Sequence, residues 1–129
     1  MNRLVTLALL LCTVAIPTAS ASSYFECKLN AVVVSVDGDV LAPGSRQESR
    51  KVTLTFETAR DGDELACAVS GPISVPLTSG EPGKLASLVK DARIAVSHAI
   101  IFPSRAPGER PTRAEEWILR GPAPAPKAP

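Results

Sequence analysis

The chain has 129 residues, with 14 Lys+Arg against 13 Asp+Glu and a formal charge of +1. That length accommodates one domain, and so even a balance gives no bulk attraction for nucleic acid or an anionic membrane. Only 4% of the residues are aromatic, too few for a broad platform on which single-stranded nucleic acid or sugars could stack.

Residues 1–21 read as a secretory signal peptide. Arg3 gives a positive start, Leu4 to Ile16 is apolar, Pro17 breaks the run, and Ala19-Ser20-Ala21 supplies small residues at the cleavage site. Cleavage is expected before Ser22, which makes the mature chain an exported protein, periplasmic or extracellular. The apolar run is too short to span a bilayer, and no second run of that kind occurs. Cys12 is preceded by Leu11, not by the small residue that lipoprotein processing wants, so it reads as an apolar residue of the leader.

Two cysteines remain, Cys27 and Cys67. In an oxidising compartment, a pair in a small domain is expected to form a disulfide. On the chain-entropy model, closing a segment this long contributes roughly 4 kcal/mol. A zinc site would need more ligands than these two and the lone His98, and the C-x-x-C spacing of a redox pair is absent.

In chain order, Tyr24 to Val36 predicts a first strand with Phe25, Cys27, Leu29 and Ala31 on its apolar face. From Val32 the even positions turn apolar too, which implies a bulge, a sharp coil or burial on both faces. A second strand is predicted over 51–58, with Val52, Leu54 and Phe56 alternating with polar residues. Asp61-Gly62-Asp63 reads as a tight hairpin leading to a third strand, where Leu65, Cys67 and Val69 alternate with Glu64, Ala66 and Ala68. Residues 72–77 read as a short extended piece. Leu85, Leu88, Val89 and Ala92 have helical spacing. Arg93 to Phe102 predicts a fourth strand, ended by Pro103, and Glu116 to Leu119 a fifth around Trp117. Gly121 to Pro129 reads as a Pro/Ala-rich mobile tail.

Three strands, a short helix and two strands define an all-β, mainly antiparallel domain over residues 22–120. The expected architecture is a small five-stranded OB-like Greek-key barrel, with a disulfide-linked β-sandwich as the alternative.

The chemistry-bearing residues are few. His98 is the only histidine and no G-x-S-x-G is present, so a Ser-His-acid site lacks its parts. Asp63-Glu64 and Glu115-Glu116 read as solvated turn acids. The D-G-D pairs lack the longer calcium loop. No catalytic residue, metal ligand or cofactor is assigned. The expectation with a binding consequence concerns two loops: Arg46, Arg50 and Lys51 near the first, Arg105, Arg110 and Arg113 near the last before the fifth strand. If both reach one mouth of the barrel, they would suit an anionic ligand or an acidic protein surface. The functional expectation is an exported, non-catalytic binding or interaction module, partnered by a protein or an anionic ligand and not by nucleic acid. The alternatives are a small secreted hydrolase using His98 and an inhibitor of an extracellular hydrolase.

Overall fold

A computed structural model describes residues 22–104, 106–110 and 112–125. The expected leader, Arg105 and the last four residues of the expected tail lie outside the described residues. The chain forms five strands and one short helix: β1 (Ser23–Val36), β2 (Glu48–Gly62), α1 (Glu64–Cys67), β3 (Ile73–Ser79), β4 (Arg93–Phe102) and β5 (Ala114–Pro122). The strands close into a barrel in the order β1-β2-β3-β5-β4, with β4 returning to β1. All neighbours are antiparallel except β3 and β5, which run parallel through Leu77↔Trp117 and Thr78↔Ile118. The result is an all-β, five-stranded mixed barrel of the OB-like kind.

β1 carries the architecture because it serves two neighbours. Its first ten residues pair with β4 from Ser23↔Phe102 to Val32↔Arg93, and residues 27–36 pair with β2. Cys27, Leu29, Ala31 and Val33 point inward and are buried. The change of apolar phase read in the sequence coincides with breaks in the β1–β2 register, between Leu29 and Ala31 and between Val33 and Ser35. Val34, on the outer side, is exposed.

The inner faces supply the core: Val52 and Leu54 of β2, Val75 and Leu77 of β3, Ile94, Val96 and Ile100 of β4, and Trp117 of β5, all buried. Each large aliphatic side chain so buried contributes on the order of 1.5–3 kcal/mol. Phe56 stacks on Trp117, ring centroids 5.5 Å apart, and Phe25 meets Phe102 edge-on at 6.1 Å.

Three local expectations are corrected. First, residues 64–67 form a helical turn, not a third strand; Cys67 N–H donates to Asp63 O at 2.8 Å. Glu, Leu and Ala are good helix formers, and a four-residue alternation fits either period. Asp61-Gly62-Asp63 is accordingly no hairpin. β2 runs on through Gly62, whose φ is +146° and where a Cβ would overlap Glu26 O.

Second, residues 85–92 are turns, not a helix. Arg50 Nη1 donates to Leu85 O at 2.9 Å and to Ala86 O at 3.5 Å, the carbonyls that a helix would offer to Val89 and Lys90. Leu85 is nevertheless buried and Leu88 packs on the core, so the spacing marked a cap on the barrel. The extended piece expected at residues 72–77 forms β3, which spans Ile73–Ser79 and lies between β2 and β5 in the barrel.

Third, β5 continues to Pro122, and the next two residues are tied to β4: Ala123 N–H donates to Arg93 O and Arg93 Nη1 to Pro124 O. Residues 121–124 are thus fixed, not a free tail.

Candidate functional site

Cys27 and Cys67 form the disulfide. Cys27 lies on the buried face of β1 as expected, whereas Cys67 ends α1, so the bridge staples a helical turn to a strand. Asp63 N–H donates to Glu26 O and Glu26 N–H to the Asp63 carboxylate, which fastens the start of the same turn.

The loop cations among the described residues, Arg46, Arg50, Lys51, Arg110 and Arg113, lie in or beside two connections that depart at different ends of β1. The β1–β2 connection leaves β1 at its far end, beyond Val36↔Val52, whereas the β4–β5 connection begins beside the start of β1, at Ser23↔Phe102. The two loops depart from opposite ends of a 14-residue strand. Arg50 lies within β2 and is engaged in structure: Nε donates to Gly38 O at 2.7 Å and Nη1 to Leu85 O. Arg113 pairs with Glu115 at 2.9 Å. Arg46, Lys51 and Arg110 are exposed, and Arg105 lies outside the described residues. The shared-mouth expectation therefore finds no support in the strand register.

A different place is concave. Asn30 of β1 pairs with Ala95 of β4, and both flanking strands break register at this step. On one side Leu29 pairs with Arg60 but Ala31 with Phe56, so Glu57, Thr58 and Ala59 of β2 face Asn30 alone. On the other side Ala95 pairs with Gly121 but Val96 with Leu119, which leaves Arg120 as the extra residue of β5. Bulges bend a strand and re-aim its side chains. Two bulges facing one residue pair open an outer groove of about 800 Å³.

The groove has a floor of small and apolar residues and a charged rim. Ala59 and Ala95 line it with Leu29 and Val96 beneath. Lys28, Arg60 and Arg120 supply three cations, Glu26 and Asp61 two carboxylates. These charges are unequally free. Arg60 Nη1 donates to Cys67 O and Val69 O, each at 2.6 Å, and so ties the groove wall to the disulfide segment. Arg120 Nε donates to Ser97 Oγ at 2.8 Å, and its Nη2 lies 3.6 Å from Glu26. Glu26 also accepts from the Tyr24 hydroxyl. Lys28 is exposed and makes no ion pair among the described residues; Asp61 and Ser97 are its cross-strand neighbours. Sequence reasoning missed this site. Its one signal was the change of apolar phase after Ala31, which marked the bulged stretch without saying which side chains it would gather.

His98 is buried inside the barrel. Nδ1 meets Ala66 O at 2.8 Å, Nε2 meets Glu115 Oε1 at 3.2 Å, and the ring stacks on Trp117 with centroids 4.0 Å apart. Both ring nitrogens are thus engaged by protein groups, while the neighbouring Ser97 hydroxyl accepts from Arg120. Among the described residues, no group of three or more His, Cys, Asp or Glu side chains gathers as a metal site would need. No described helix is long and apolar enough to cross a membrane.

The chain matches no protein-family model, and comparison with curated proteins and with solved structures gives no match.

Proposed function

We propose that the protein is an exported, non-catalytic binding domain whose ligand seat is the groove over the Asn30–Ala95 pair, and that its ligand carries an anionic group. The observation that carries this reading is the coincidence of two bulges at one step of the sheet. Bulges interrupt the hydrogen-bonded ladder, and facing bulges leave a cleft where a continuous sheet would present a flat face. Lys28 and Arg120 flank that cleft, with Glu26 already held by Arg120 and Tyr24. Among the described residues His98 hydrogen-bonds a carbonyl and a carboxylate and no hydroxyl or thiol nucleophile, which argues against the hydrolase alternative.

The test is a ¹⁵N amide titration of the mature protein with an N-acetylated tetraglutamate peptide at low salt. The expected shifts cluster at Lys28, Asn30, Ala59, Arg60, Ala95 and Arg120 and fade at high salt. Lys28→Gln should weaken binding roughly threefold, in line with one exposed charge worth ~0.5–1 kcal/mol. Shifts confined to 38–47 or 106–113, or no shifts at all, would overturn the proposal.

A further inference from the structure

The contacts of His98 set a condition on its protons. A carbonyl oxygen only accepts, so Nδ1 must donate to Ala66 O; an ionised carboxylate also only accepts, so Nε2 must donate to Glu115. The two bonds coexist only when both ring nitrogens carry hydrogen. We propose that His98 and Glu115 form an acid-closed latch that pins the start of β5, and with it the end of the β4–β5 loop, to the interior of the barrel.

Burial decides which bond opens when a proton leaves. Ala66 is buried and fixed by its backbone, so Nδ1 keeps its hydrogen. The Glu115 side chain is 44% exposed and can turn to water. A neutral ring then faces the carboxylate with a lone pair, and that contact is lost. The charged groups that face the ring are few. β5 supplies Glu115 and, behind it, Arg113. α1 presents a backbone carbonyl. β1 places Cys27 opposite, in the disulfide, which does not titrate. β5 also lays the face of Trp117 against the ring, an arrangement that favours a cation.

Glu115 itself stays ionised across the relevant range. Burial raises its carboxyl, but the hydrogen bonds from Arg113 and His98 outweigh that and hold it below the usual glutamate range. Loss of the Nε2 contact as pH rises is therefore assigned to the imidazole and not to the carboxyl.

Trp117 is the only tryptophan in the chain, so its emission reports on the stacked ring; an imidazolium quenches an indole more strongly than a neutral imidazole does. The test is a fluorescence titration of the mature, disulfide-bonded protein from acid to mildly alkaline pH. One transition is expected, with emission rising as pH rises. Glu115→Gln should move it to lower pH by about half a unit or more, because the carboxylate favours the imidazolium. Arg113→Gln should move it to higher pH, because one competing cation is gone. Amide signals of residues 112–115 should track the same transition. His98→Gln should abolish it; should that variant fail to fold, Glu115→Gln and Arg113→Gln decide the matter. No transition in the unmodified protein, or an unmoved one in Glu115→Gln, would overturn the latch.

Discussion

Asp37 and Arg50 illustrate what single residues contribute. The Asp37 carboxylate accepts from Ser35 Oγ at 2.6 Å, from the Thr53 hydroxyl and from Ser74 Oγ at 3.3 Å, joining the end of β1 to β2 and β3. The hydrogen bonds from Ser35 and Thr53 hold its carboxyl below the usual aspartate range against an opposing effect of desolvation, with Ser74 and Lys51 adding lesser contributions. A group whose folded-state value is depressed contributes stability above its unfolded value and loses it as pH falls toward the folded one. Asp37→Asn should therefore flatten the acid limb of stability against pH, measured by urea unfolding at several pH values, and leave its slope near neutrality unchanged. Arg50 and Arg46 look alike in the sequence, as cations of one loop. Their difference lies in partners that no spacing reveals: Arg50 bonds carbonyls 12 and 35 positions away. Arg50→Met should cost about 1.5–3 kcal/mol in urea unfolding, the range for hydrogen bonds to a charged group. Arg46→Ala, on an exposed turn, should stay within about 0.5 kcal/mol.

At the scale of elements, strands with long apolar alternation were legible and short segments were not. β1 and β4 run nearly as read, because period-two alternation in β1 and β-branched residues bounded by Pro103 in β4 favour a strand. Residues 64–67 and 85–92 depart from the sequence expectation because a short alternation fits either period and distant partners then add to the choice. Cys67 is drawn to Cys27, and the carbonyls of Leu85 and Ala86 are taken by Arg50. Of the four apolar positions, Leu85 is buried and Leu88 and Ala92 pack against the core without a helix, whereas Val89 is exposed. The disulfide was legible from the cysteine count and the expected oxidising compartment, although its second partner sits on a helix. Replacing both Cys27 and Cys67 with Ser should lower stability by roughly 4 kcal/mol on the chain-entropy model. It should also weaken the groove, because Arg60 holds its wall to Cys67 O and Val69 O. A stability loss below about 1 kcal/mol would show that α1 is held by its other contacts.

At the scale of the whole molecule, barrel closure was foreseeable from strand count and from a first strand long enough to serve two neighbours. The groove was not, because it arises from two register breaks on strands far apart in sequence, at Glu57–Ala59 and at Arg120. Local alternation carries no record of which residues face each other across a sheet. The proposed leader, by contrast, rests on a purely sequential signal; if the chain is exported as proposed, N-terminal sequencing of the mature form should begin at Ser22. The groove over Asn30 and Ala95 is the proposed binding seat of the whole domain, and a bulky side chain on its floor tests that most directly. The measurement is the affinity of Ala59→Trp, with Ala95 left intact, for the tetraglutamate peptide beside the unmodified protein at equal thermal stability. Loss of at least tenfold in affinity, with binding retained in Arg46→Glu, is the result expected of a ligand seated in the groove. Unchanged affinity in Ala59→Trp would contradict it.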